Sequence, residues 1–188
     1  MIAVATLPRR SVDKVRLLYH APPFGRPPIR VVVVQDPGPE KRRQELADGK
    51  QPLVAQLARL RAIGPNGAWV LVKELFGWRR FANRRELAGC LGLVPTPYDS
   101  GASQTEQGIS KAGNKRVRAL LVELAWCWLR LQPQSALTQW FNQRFAGGGK
   151  RMRRVGIVAM ARRLAITLWR YLQYGEIPAG ALLKPAAI

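Results

Sequence analysis

From residue 39 onward, apolar and polar positions alternate with a helical period. Val117, Leu120, Leu121, Leu124, Ala125, Trp128 and Leu131 recur at intervals of three and four, which lines them along one face of an amphipathic helix. Pro133 closes that helix because it has no N–H to add to the ladder. Ser135 to Phe145 predicts a shorter helix with Leu137, Trp140 and Phe141 inward. Beyond the joint Gly147-Gly148-Gly149, Lys150 to Tyr174 predicts a long helix, cationic at its start and apolar through its middle. Gly175 and Pro178 end it, and the tail to Ile188 reads as loose.

The first half carries similar signals in shorter pieces. Pro39 and Glu40 suit a first helical turn, and the charged helix Glu40 to Ala47 stops at Gly49. Leu53, Leu57 and Leu60 mark the stripe of a second helix. Gly77 ends a third. Asn83 suits the N-cap of a fourth, with Glu86 three residues on as a capping box requires. That helix ends near Gly92, and Pro95 and Pro97 forbid its extension. Trp78 and Phe81 read as core aromatics, while Arg79, Arg80, Arg84 and Arg85 face outward. Trp69, Trp126, Trp128, Trp140 and Trp169 lie on apolar helical patterns and favour core packing over base stacking.

Residues 62–76 have the form of a helix-hairpin-helix: an apolar helix, a tight glycine turn, then Ala68 where close packing needs a small side chain. Such a hairpin can present backbone N–H groups to a phosphate. Ala62 stands where the usual pattern has its first glycine, so an ordinary αα-turn carries equal weight. Residues 97–118 read as a long polar loop that runs into a cationic helix start. Residues 1–38 are unlike the rest. Seven of the fourteen prolines fall before residue 40, and the β-prone run Ile29 to Val34 has no partner strand, without which it is unstable in water. It is read as an irregular remnant, or as an edge strand for another chain. The pattern predicts an all-α fold: a helical bundle with a helix-hairpin-helix-like element behind an irregular N-terminal segment.

Charge narrows the function. Thirty-one Lys and Arg face eleven acids, a net charge of +20. Such an excess repels itself unless a polyanion neutralises it, which makes nucleic acid the leading partner. An anionic membrane surface comes second. The apolar run Val155 to Leu172 is broken by Arg162 and Arg163, which argues against a membrane span. Nothing at the N-terminus reads as a signal peptide. Cys90 and Cys127 sit in apolar helical patterns and read as buried free thiols of a reducing cytosol. His20 is the single histidine, and the acids are scattered. No zinc, histidine-based or magnesium set is assembled from them, so no metal or cofactor is assigned to this chain.

Two cation clusters stand at helix starts: Lys111, Lys115, Arg116 and Arg118, and Lys150, Arg151, Arg153 and Arg154. Cations there oppose the helix dipole. A bound phosphate would reconcile N–H groups, dipole and side chains; the alternative is a solvated face that serves solubility. Ser100, with Gly101 after it, lies in the polar loop. Ser-Gly is most often a turn. A serine can attack a phosphodiester where cations stabilise the developing charge and a base removes its proton, and no such base is evident in this chain.

Three runs carry a family resemblance: 87–101 (Leu-Ala-Gly-Cys-Leu-Gly-Leu-Val-Pro-Thr-Pro-Tyr-Asp-Ser-Gly), 107–126 from Gln107 to Trp126, and 154–164 from Arg154 to Leu164. In order and spacing they resemble the C-terminal domain of the insertion-sequence "one-ten" transposases, the serine-type, bridge-RNA-guided recombinases. The likeness covers about residues 40–185. It implies that Ser100 is the nucleophile of DNA strand exchange through a phosphoserine intermediate, that Gly101 leaves space for the strand, and that Lys111, Gly113, Asn114, Lys115, Arg116 and Arg118 hold the scissile backbone. It makes residues 39–60 the end of a connecting helical region and 61–185 the C-terminal helical domain. It assigns magnesium to an N-terminal RuvC-like acidic domain with no counterpart in this sequence. The expectation is a truncated or frame-disrupted copy, inactive alone, in a bacterial cytoplasm and on the nucleoid. Expected partners are DNA, a guide RNA, and further copies or an acidic-domain partner. A non-enzymatic basic nucleic-acid binder is the alternative.

Overall fold

A computed structural model describes residues 38–185 apart from 48, 50, 101 and 102, with backbone alone at residues 39, 42, 43, 46, 47, 97–100 and 103–107. The expectations for residues 1–37 and for Gly101 therefore lie outside the described residues. Among the described residues, seven α-helices occur in order: α1 (Gly38–Ala47), α2 (Pro52–Ala58), α3 (Pro65–Leu71), α4 (Arg84–Leu91), α5 (Lys115–Leu131), α6 (Ala136–Phe145) and α7 (Lys150–Tyr174). Two short strands, β1 (Pro95–Ser100) and β2 (Ser103–Ile109), lie between α4 and α5. The fold is mostly α, as the periodicity predicts.

The centre is the packing of α7 on α5, with α6 and α4 against α7. Leu57, Leu71, Leu75, Leu87, Leu91, Leu121, Trp128, Met160, Leu164 and Leu168 are buried, and each such side chain adds about 2 kcal/mol relative to exposure. Gly156 is part of this packing: a Cβ there would run into the Phe145 ring, so only glycine lets α6 approach α7 this closely. The caps reflect local chemistry. Asn83 Oδ1 accepts from the N–H groups of Arg85 and Glu86, both at 2.9 Å. Glu86 reaches back as a capping box would, but to the N–H of Ala82 at 2.8 Å rather than to Asn83. Gly92 and Gly175 end α4 and α7 in the left-handed conformation.

Four expectations need correction. The polar loop contains a β-hairpin: β1 and β2 pair antiparallel from Pro95–Ile109 to Ser100–Ser103, with a bulge between Pro95 and Pro97. Its sequence lacks the alternation that marks a strand, and both prolines are tolerated because a two-stranded ribbon is all edge. Trp78 is not core but 63% exposed. It lies in the turn that follows the π-turn Val72–Phe76 and its cap Gly77, where its Nε1–H donates to the Lys73 carbonyl. Trp126, one residue past the buried Ala125, is turned off the apolar face and is 40% exposed; Leu131 is exposed at the end of α5.

The fourth correction is the tail, which is docked up to Lys184. The Gln132 side chain acts as a strand edge for Leu182, donating to its carbonyl at 2.9 Å and accepting its N–H at 2.7 Å. Leu183 bridges Leu60. Lys184 Nζ donates to the carbonyls of Ala58 (2.8 Å) and Ile63 (2.7 Å), bracing the turn between α2 and α3. Desolvation there lowers the Lys184 pKa from its usual value.

Candidate nucleic-acid interface

The hairpin and the start of α5 share one foundation, the C-terminal end of α4. The chain leaving β2 crosses over that end as a strap. Its Ser110 N–H donates to Val94 O (2.9 Å), Lys111 N–H to Gly92 O (3.1 Å) and Asn114 N–H to Cys90 O (3.3 Å). Arg118 reaches back from α5 and donates to Leu91 O at 3.0 Å. The contact is backbone on backbone, which is why two glycines meet here. A Cβ on Gly92 would overlap the Ala112 carbonyl, and one on Gly113, at φ +94°, would overlap the Cys90 carbonyl. Lys111 takes a left-handed φ of 55° without being glycine, a strain of about 1 kcal/mol held by the strap.

Asn114 joins this base to the π-turn. Its Oδ1 caps α5, accepting from the N–H groups of Arg116 (3.0 Å) and Val117 (3.1 Å). Its Nδ2 donates to Glu74 Oε2 at 3.0 Å, and Glu74 Oε1 pairs with Arg116 Nη1 at 2.9 Å. The anion that stands at the start of α5 among the described residues is the protein's own Glu74 carboxylate. No local signal reveals Glu74, since it lies 40 residues from Asn114. Lys111 and Lys115 are exposed, and Arg118 is half-buried with Nη1 committed to carbonyls of the strap and of α4.

The start of α7 is different. Gly149 caps it without a side-chain bond, no acid lies in the first turn, and Lys150, Arg151, Arg153 and Arg154 are all exposed. The two cationic starts lie toward opposite ends of α7. The π-turn that holds Asn114 also carries Phe76, which lines one cleft with Trp169 and Leu172 near the C-terminal end of α7. From Arg154 to Trp169 the axis runs about 22 Å at 1.5 Å per residue.

Ser100 pairs with Ser103 at the far end of the hairpin. Five residue steps separate that pair from Pro95 at the base, about 17 Å at 3.4 Å per residue. The loop reading set Ser100 beside the cations of the α5 start; the hairpin sets them at opposite ends. Among the described residues, no group of three or more His, Cys, Asp and Glu could hold a metal ion, and no helix is long and apolar enough to cross a membrane. Cys90 and Cys127 are free thiols, half-buried rather than buried.

These features define a cationic helical module with a β-hairpin clamped to its body. Residues 54–140 match the family described as Transposase IS116/IS110/IS902 family. The protein y4rJ of Sinorhizobium fredii (strain NBRC 101917 / NGR234), named as a transposase, is 46% identical over 139 residues, 73% of this chain and 35% of its own length. The transposase for insertion sequence element IS1328 of Yersinia enterocolitica is 31% identical over 137 residues, 72% of this chain and 40% of its own length. The transposase-named y4qE of the same Sinorhizobium strain is 42% identical over 76 residues, 40% of this chain and 20% of its own length. The chain belongs to the IS116/IS110/IS902 transposase family and corresponds to its C-terminal region. It spans about a third of the length of the curated relatives it matches.

Proposed function

We propose that this chain is the DNA-binding C-terminal part of an insertion-sequence transposase, holding the DNA backbone at the starts of α5 and α7 and carrying Ser100 as the nucleophile of strand exchange. The observation that supports it best is the pair of cation clusters at two helix starts, with Lys111, Lys115 and Arg116 exposed at α5 and Lys150, Arg151, Arg153 and Arg154 exposed at α7. At α7 the helix N–H groups, the dipole and four cations all favour one phosphate. At α5 a phosphate competes with Glu74 for Arg116 and meets Lys111 and Lys115.

In strand exchange the Ser100 hydroxyl oxygen attacks the scissile phosphorus. The bond to the leaving deoxyribose oxygen breaks, that oxygen takes up a proton, and the DNA strand is left on Ser100 as a phosphodiester. The serine proton needs an acceptor. By the family resemblance, the acceptor and the magnesium come from an acidic RuvC-like domain, so this chain's described residues do not carry out the reaction by themselves. DNA, a guide RNA and either further copies or an acidic-domain partner complete the assembly, on the nucleoid of a bacterial cytoplasm.

Duplex binding measured against salt tests the first part. If the clusters at α5 and α7 neutralise five to seven phosphates, log K falls with log salt at a slope of about −5 to −6, and a flat response refutes backbone binding. Covalent trapping tests the second part. A DNA adduct is expected when the acidic domain is supplied and is lost in Ser100→Ala. An adduct that survives Ser100→Ala refutes the nucleophile, and one formed by this chain alone refutes the need for a partner domain.

A further inference from the structure

An exposed tryptophan held in place among arginines is the least explained feature of the surface. Trp78 is 63% exposed, yet its ring is not free. Its Nε1–H donates to Lys73 O at 3.0 Å, and the Arg79 guanidinium lies over one face, 4.4 Å from the ring centroid. Arg79 is itself anchored, donating from Nη1 to Cys90 Sγ on α4 at 2.9 Å. With Arg79 over one face, an exposure this large leaves the opposite face open. Arg80, Arg84 and Arg85 are exposed nearby in the chain, and among the described residues none of these four arginines pairs with an acid. The acid of this stretch, Glu86, is turned to the Ala82 N–H.

These groups set the chemistry of an occupant. A rigid, flat apolar face is complemented by another flat π-face, and unpaired guanidinium groups by anions at short spacing. An apolar protein partner would leave the cations unanswered. A duplex offers phosphates but keeps its base faces stacked on one another. An unpaired base on a sugar–phosphate chain meets both needs. We propose that Trp78 is a stacking platform for an unpaired nucleobase, with Arg80, Arg84 and Arg85 on the flanking phosphates. The hydrogen bond of its N–H and the clamp of Arg79 fix the ring beforehand, so little order is lost on binding. The platform adjoins the start of α5, because Glu74 of the preceding π-turn holds Asn114. It goes beyond the backbone-binding reading by assigning a single-stranded ligand to a surface outside both cation clusters.

The test is fluorescence anisotropy with the full chain and three labelled 12-mers: oligo-dT, oligo-U and a DNA duplex. Trp78→Ala should weaken binding of a single-stranded oligomer about tenfold or more, the order of one lost base stack, and leave its salt slope unchanged. Duplex affinity should stay within about twofold. Trp78→Phe should retain the stack, whereas Trp78→Leu, similarly apolar, should lose it. The double variant Arg84→Ala/Arg85→Ala should lower the single-strand salt slope by about 1.4. Tighter binding of oligo-U than of oligo-dT identifies the strand as RNA, and the reverse as DNA. Trp78→Ala binding both single strands within twofold of the unaltered chain overturns the proposal. So does an equal loss for single strand and duplex, or Trp78→Leu binding as well as Trp78→Phe. Failure of the duplex arm in the unaltered chain would count against the backbone reading instead.

Discussion

Gly113→Ala tests the joint on which the hairpin stands. The substitution adds one methyl group at φ +94°, where the new Cβ overlaps the Cys90 carbonyl. The left-handed backbone costs a non-glycine residue about 1–2 kcal/mol. The overlap is with backbone and not with the end of a flexible side chain, so the strap must lift from α4. That weakens the bonds of Ser110, Lys111 and Asn114 N–H to Val94, Gly92 and Cys90, each worth about 1 kcal/mol net. The loss comes to about 3–5 kcal/mol, about 10 °C or more in Tm for a chain of this size. Gly89→Ala, on α4 beneath the strap, is the control. Nothing lies within 4 Å of its Cβ, and alanine gains up to about 1 kcal/mol in a helix. The two substitutions should therefore shift stability in opposite directions. Thermal melts give the signs, and amide hydrogen exchange at Ser110, Lys111 and Asn114 locates the damage. If Gly113→Ala melts within about 1 kcal/mol of the parent with those amides still protected, the strap does not pack on α4 as described.

Other consequences can be measured on the same footing. Lys111→Gly relieves the left-handed strain and should stabilise the fold by about 1 kcal/mol while lowering the duplex salt slope by about 0.9; a stabilised protein with an unchanged slope removes Lys111 from the interface. Trp128→Phe and Trp169→Phe remove similar volume from the core but differ in hydrogen bonding. Trp128 Nε1 donates to Ser135 Oγ at 2.8 Å, whereas Trp169 Nε1 is buried without a partner. Trp128→Phe should cost about 2 kcal/mol more than Trp169→Phe in denaturant unfolding, and equal costs would show that the Trp128 bond contributes nothing. Glu74→Gln removes the charge facing Arg116, a pair worth at most about 1 kcal/mol at this exposure. It should tighten duplex binding at low salt, and weakened binding would mean that Glu74 orders the site rather than competing with phosphate.

Much of the helical scaffold was legible because its causes are local. A three- and four-residue stripe from Val117 to Trp128, the cap of Asn83, and Gly92 and Gly175 at helix ends each act within a few residues. The cationic helix starts were legible too, since composition alone marks them. Periodicity could not show where a residue stands once an element departs from the regular repeat. Trp78, in the turn beyond Gly77, stands at the surface rather than in the expected core, and Trp126 was lost in a pattern whose face ends one residue earlier.

The sequence by itself determined that this is a basic, mostly helical chain, because hydrophobic period, capping residues and charge are written in neighbouring positions, and its three motif runs carried the resemblance to the family. Tertiary structure alone decided the rest. A strand pair without alternation, Pro95–Ser100 with Ser103–Ile109, persists beside a strap tied to the end of α4. Glu74 reaches Asn114 and Arg116 across 40 residues, and the tail docks through Gln132 and Lys184. Each depends on contacts between segments far apart in the chain, whose geometry no local spacing encodes. The same contacts carried Ser100 away from its neighbours in sequence, to the tip of a hairpin whose base holds the cations.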